Sequence, residues 1–210
     1  MPRIWRFVLT GGPCSGKTNA LKKCKKAFEG LGQRVICVPE TATEVILSGI
    51  RKQDISEEEF QKIILERSIL KEDTALRAAN ILKNKYAEDV VIFYDRGIMD
   101  GASYLANQSV FDEWLQDLNL CRQSVLERYD AIIHLVTTAD GAESCYNNMN
   151  DKKNNNKARS ETVEEARESD RKIWKVWEDH KNHIIIENST SIQKKLGRVL
   201  NVVSSIMDER

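Results

Sequence analysis

Eight residues constrain this chain more than any others: Gly11-Gly12-Pro13-Cys14-Ser15-Gly16-Lys17-Thr18. They match G-x-x-x-x-G-K-[ST], the Walker A phosphate loop, whose shape is set by the anion it wraps. Glycines let the backbone aim several N–H groups at phosphate oxygens with no Cβ in the way. Lys17 places a cation between the β- and γ-phosphates, and the Thr18 hydroxyl is a hard oxygen donor suited to Mg²⁺. A chance match somewhere in a chain this long has odds on the order of 1%. Context narrows it further, because the motif must follow a strand and open a helix whose positive end meets the anion. Trp5–Thr10 has the strand pattern and Asn19-Ala20-Leu21-Lys22 continues as helix. Both conditions hold.

The rest of the chain repeats the same alternation. Short β-branched or aromatic runs at Arg34–Val38, Val90–Tyr94, Ala131–Val136 and Ile184–Ile186 are separated by helix-patterned stretches, the signature of βα units around a parallel sheet. Several runs are continuously apolar, as in strands covered on both faces. Ser56 and Glu59 form a capping box for a helix reaching about Lys85, with Ile55 and Phe60 at hydrophobic-staple spacing. Thr162 and Glu165 repeat the box before a helix with Val163, Ala166, Ile173 and Trp177 on one face. The expected fold is a three-layer α/β P-loop NTPase, kinase-like with a lid, having a parallel sheet of about five strands and helices on both faces. With 210 residues, three prolines and no Pro/Gly-rich linker, the chain is expected to be a single nucleotide-binding domain over 1–210. The polar, Asn-rich stretch Tyr146–Lys157 reads as a mobile surface loop within a flexible lid region at about 141–168.

Composition removes several function classes. Thirty-two basic residues balance 32 acidic ones, whereas a nucleic-acid or anionic-membrane binder usually carries a basic excess. No nucleic-acid partner is expected. Five cysteines with no CxxC pair argue against a disulfide framework and a thiolate zinc site. Arg6 interrupts any signal-type apolar run, and the longest apolar runs are too short to cross a bilayer. A reducing, cytoplasmic location without a transmembrane segment is the expectation.

Further polar residues sit where strands end. Val90–Tyr94 runs into Asp95-Arg96-Gly97. A strand-terminal Asp often reflects turn chemistry, but beside a phosphate loop it is the usual Mg²⁺ partner. Arg96 is suited to clamping phosphate oxygens or to a structural ion pair. Glu40, after the second strand, can accept a proton from a substrate hydroxyl or position it, the plainer role being a helix cap. Lys157, Arg159, Arg167 and Asp170 form a lid candidate whose arginines swing over the nucleotide and neutralise charge in transfer. The same Arg167, with Glu164, Glu168, Arg171 and Lys172, also reads as a solvated helix face. Gly11–Thr18, Glu40, Asp95, Arg96, Asp140 and Asn188 all follow predicted strands. Those strand ends line the one edge where open α/β sheets bind ligands, which places Asn188 with the nucleotide-binding set. His134 reads as a core residue, and His180 and His183 lack metal-ligand spacing.

On Thr10–Thr18, Val38–Thr43, Asp95-Arg96-Gly97 with Asp100-Gly101, Tyr129–Gly141, Ala158–Glu161, Ala166-Arg167 and Asp170, the chain resembles a known family. That family is the P-loop NTPase domain of the NadR/TRPL-translocation-defect-protein type, AAA-like ATPases related to P-loop nucleoside kinases, and the likeness is greatest to its eukaryotic branch. The resemblance implies ATP or GTP binding with Mg²⁺. It assigns phosphates and metal to the residues matching Lys17, Thr18, Asp95, Arg96 and the lid arginines. The residue matching Glu40 faces the phosphoryl acceptor. Eukaryotic relatives often carry a further C-terminal domain linked to membrane traffic, so a protein or lipid partner is open. No Asn-Lys-x-Asp guanine signature occurs, and the choice between ATP and GTP stays open with it. The expected function is Mg-dependent purine nucleoside triphosphate binding by a kinase-like phosphotransferase or NTPase acting on a small molecule. The alternative is a nucleotide switch in membrane-protein trafficking with slow or no turnover.

Overall fold

A computed structural model describes residues 1–141 and 162–209. The chain runs β1 (Ile4–Thr10), α1 (Lys17–Gly30), β2 (Arg34–Val38), α2 (Thr41–Leu47), α3 (Glu57–Tyr86) and β3 (Val90–Asp95). It continues with a 3₁₀ helix η1 (Ile98–Tyr104), α4 (Gln108–Asp117), α5 (Arg122–Leu126), β4 (Ala131–Leu135), α6 (Val163–Val176), β5 (His183–Ile186) and α7 (Ile192–Asp208). The Asn-rich stretch and Arg159 lie outside the described residues. No described helix is long and apolar enough to cross a membrane.

The five strands form one sheet in the order β2-β3-β1-β4-β5, and every pairing is parallel. All strand carboxyl ends therefore share one edge. After β1 the chain leaves toward the β2 side; after β3 and β4 it leaves toward the β5 side. Loops diverge at the end of β1, and this is where a crevice opens in a sheet of this kind. β3 keeps Asp95 in register with Leu9, so the strand carries its carboxylate right up to that crevice.

Alternation along the strands builds a core on each face. Val8, Ile92, Tyr94 and Ile132 point to the side covered by α3, η1 and α6, where Ile173 and Trp177 are buried. Trp5, Phe7, Leu9, Phe93 and Ile133 point to the side covered by α1 and α7, against Cys24, Phe28, Leu196 and Val199. Both predicted capping boxes form: Ser56 accepts the Glu59 N–H and Thr162 accepts the Glu165 N–H, each with the reciprocal bond. The 3₁₀ helix was not legible in the sequence. Its turn is closed by the Asp100 carboxylate accepting the Gly97 N–H at 2.7 Å.

Phe93 is fully buried, with its ring 5.7 Å from both Phe7 and Phe28. Truncating it empties the centre of one core, so Phe93→Ala is expected to lower stability by about 3–5 kcal/mol. Urea unfolding measures the loss.

Candidate functional site

The turn from β1 into α1 requires a backbone that most residues refuse. Gly11 has φ 130° and Gly16 φ 96°, both in the region glycine enters without a Cβ penalty. At Gly11 there is also no room: a Cβ would stand 2.0 Å from the Leu135 carbonyl oxygen. At Gly12 it would stand 2.9 Å from the Asp170 side chain. Cys14 takes φ 55°. Turns that mix left- and right-handed residues gather successive N–H groups into an anion-binding concavity. Gly16 caps α1 without a side-chain hydrogen bond, so the first N–H groups of that helix keep their donor capacity.

The Lys17 ammonium lies along this turn, donating to the carbonyl oxygens of Gly11 at 2.7 Å and Gly12 at 2.9 Å, and to the Ser15 hydroxyl at 3.2 Å. Burial, helped by the like charge of Arg96, pulls its pKa down to about 7 against the pull of Asp95, Glu40 and Asp100. Thr18 stands exposed in the first turn of α1.

Across the crevice is a compact charge cluster. Arg96 has φ 70°, and its N–H donates to the Leu9 carbonyl at 3.0 Å. Its guanidinium donates to Glu40 at 2.6 Å and to Asp100 at 3.4 Å. Burial disfavours the Arg96 charge, but Tyr104, Glu40 and Asp100 outweigh it and its pKa is raised. Burial would likewise raise Glu40, yet Arg96, the Thr43 hydroxyl at 2.6 Å and Lys17 hold it down to about 2. At Asp95 burial wins and the pKa is raised, in spite of Lys17. Asp100 is buried and also accepts the Thr10 hydroxyl. Lys17, Glu40, Asp95 and Arg96, chosen from sequence, are thus brought together.

The opposite wall comes from β4, α6 and α7. Asp170, buried on α6, accepts the N–H groups of Gly12 and Thr137 and contacts His134 Nε2 at 3.1 Å. Those bonds, led by His134, outweigh burial and hold the Asp170 carboxyl below its usual range. Thr137 and Thr138 donate to the carbonyls of Pro13 and Cys14. Lys195, buried on α7, donates to the Ser15 carbonyl at 2.9 Å. Arg167 donates to the Ala139 carbonyl at 2.7 Å, in the segment that packs on Cys14. Asn188 donates to the carbonyls of Thr137 and Asp140 and accepts from Lys195, so its side chain reaches the glycine-rich turn through Lys195. Asp140 contributes its backbone to this wall.

Sequence reasoning gave no role to Lys195, nor to Asp100, Thr137 and Thr138, although the last three lie in stretches that carry the family resemblance. The two threonines carried a usable signal, since they directly follow a predicted strand at the edge that drew attention to Asp140. Lys195 carried none.

The Thr18 hydroxyl and Asp95 carboxylate are both hard oxygens, a donor set that fits Mg²⁺, which keeps waters and phosphate oxygens in its remaining positions. Among the described residues there is no group of three or more His, Cys, Asp or Glu able to hold a metal by itself.

A family model described as AAA domain matches residues 6–195. No curated protein matches the chain.

Gly11→Ala combines a forbidden contact with a φ that alanine resists. It is expected to destabilise the fold by about 1–3 kcal/mol or more, measured as a lowered urea midpoint. Gly30→Ala, at a position with no neighbour within 4 Å, should be neutral or mildly stabilising in the same assay.

Proposed function

We propose that this chain, which belongs to the AAA domain family, is a Mg-dependent phosphotransferase of the NadR/TRPL-translocation-defect-protein type. It takes ATP or GTP and a small-molecule acceptor. The observation that carries the reading is the meeting of Lys17, Asp95, Glu40 and Arg96 at the end of β1 and β3, beside a turn whose backbone favours an anion. With Asp100, the cluster holds two cations against three carboxylates. That excess of negative charge suits a triphosphate arriving with a divalent cation better than a bare one.

In this reading the N–H groups of the Gly11–Thr18 loop wrap the phosphates, with Pro13, Cys14 and Ser15 supplying its outer curve. Thr18 and Asp95 would hold Mg²⁺, which would supply charge neutralisation for the phosphates. Lys17 leaves its loop carbonyls for the phosphates. Arg96 stabilises the transferring group, and Glu40 orients the acceptor hydroxyl and takes its proton as the oxygen attacks the γ-phosphorus and the β–γ bridging bond breaks, releasing the nucleoside diphosphate. Arg167 and Arg159 close from the lid side. Asn188 supports the loop from beneath. The protein acts as a single domain in the cytoplasm, a placement supported by its cysteine pattern.

One observation favours the switch alternative. Arg96 is bound at once to Glu40 and to Asp100, and Asp100 closes the first turn of η1. A γ-phosphate that drew Arg96 away would loosen η1 and signal nucleotide state.

Turnover separates the two. ATP and GTP hydrolysis measured alone and with a panel of nucleosides and ribosides should rise with one acceptor class for the kinase. Tight binding with negligible turnover under every acceptor supports the switch. Lys17→Met should abolish the thermal shift given by Mg·triphosphate; a variant with wild-type affinity contradicts both readings.

The pH dependence has a definite sign. Burial pulls the Lys17 pKa down to about 7 in the free protein, and a polyanion beside it raises that pKa. The bound form then holds more protons, so apparent affinity falls as pH rises above 7. Titration calorimetry at pH 8 in two buffers of different ionisation enthalpy should show uptake of up to about one proton per site.

A further inference from the structure

We infer that Thr137, Thr138 and Lys195 are positioning residues that aim the loop's N–H groups at the bound phosphates, by fixing the carbonyl on the far side of each peptide. The inference rests on the nucleotide-binding reading of the loop.

In a trans peptide the C=O of one residue and the N–H of the next point in opposite directions. Whatever holds the carbonyl therefore sets where the following N–H faces. Three consecutive carbonyls of this loop are held from outside. The Thr137 hydroxyl donates to Pro13 O at 2.5 Å and the Thr138 hydroxyl to Cys14 O at 3.2 Å. The Lys195 ammonium donates to Ser15 O at 2.9 Å. The N–H groups of Cys14, Ser15 and Gly16 must then turn away from β4 and α7, toward the inside of the loop.

The neighbouring peptides make the division of labour complete. Gly12 spends its N–H on the Asp170 carboxylate. Pro13 has no N–H to offer. The outward-held carbonyls begin at the first residue after which an N–H is available for a ligand.

Lys195 itself has little freedom. Its side chain is 2% exposed, and its three donors are occupied by Ser15 O, Val136 O at 2.6 Å and Asn188 Oδ1 at 2.9 Å. Asn188 is in turn fixed by the carbonyls of Thr137 and Asp140. A cation bonded to a carbonyl also polarises its peptide, so the Gly16 N–H becomes a stronger donor. Lys195 thus acts on the phosphates through a peptide, without touching them.

Paired substitutions at the threonines test this. Thr137→Val keeps the side-chain shape and removes the hydroxyl; Thr137→Ser keeps the hydroxyl and removes the methyl. The same pair is made at Thr138. Lys195→Met strands three buried acceptors and is too disruptive to be informative, so the threonines carry the test. Mg·ATP and Mg·GTP are titrated calorimetrically into each variant below its melting temperature. The valine variants should bind about threefold to tenfold more weakly, the worth of one hydrogen bond, and the serine variants within about twofold of wild type. Folded valine variants that bind as wild type does, or serine variants as weak as the valines, overturn the inference alone. A wild type that binds neither nucleotide overturns the underlying reading and this inference with it.

Discussion

The whole arrangement depends on one constraint: the polypeptide must leave a central parallel strand, reverse against its neighbour's last carbonyl, and enter a helix within six residues. Gly11 passes so near the Leu135 carbonyl that no side chain fits there. That proximity locks the turn to β4, and β4 is registered with β1 by the sheet. The loop is therefore positioned by the sheet's own geometry, and the two cores on either face make the sheet hard to deform. Anion-binding capacity follows from a backbone shape that the fold imposes before any ligand arrives.

Around that turn, polar groups divide by side. Toward β3 stand the mobile charges, with Glu40 and Arg96 paired to one another and Lys17 folded onto loop carbonyls. Toward β4, α6 and α7 stand groups already saturated by backbone partners: Asp170, Thr137, Asn188 and Lys195. Arg96 and Glu40 can exchange partners at modest cost when a phosphate enters, since one ion pair is replaced by another, and Lys17 gains a phosphate for the loop carbonyls it leaves. The second set cannot, because its partners are buried main-chain groups that would be left unpaired. A rigid wall and an exchangeable wall suit the phosphoryl transfer proposed above, a reaction that works by positioning and charge neutralisation.

Much of this was legible in the sequence, and the reasons are local. Short β-branched or apolar runs bounded by turn residues located all five strands within a residue or two, most plainly Val90–Tyr94, which is buried on both faces and has no polar position to confuse the pattern. Ser56 and Thr162 announced their helices because a capping box is written within four residues. The glycine-rich motif is contiguous for the same reason. What stayed hidden is long-range. Asp170 meets Gly12 across 158 residues and Lys195 meets Ser15 across 180, and no spacing rule connects such pairs. Arg6 reads as a break in an apolar strand, yet it is satisfied inside the fold by Tyr94 at 3.0 Å and Glu72 at 3.3 Å. The η1 turn has no apolar period to announce it and depends on the Asp100 carboxylate that closes it.

Amide chemical shifts test the central claim most directly. In a ¹⁵N-labelled sample titrated with Mg·triphosphate, the backbone N–H resonances of Cys14, Ser15, Gly16, Lys17 and Thr18 should move strongly as they bond to phosphate oxygens. The Gly12 resonance, committed to Asp170, should move little. Saturating nucleotide that leaves these five amides unmoved, or shifts another surface instead, would contradict the account.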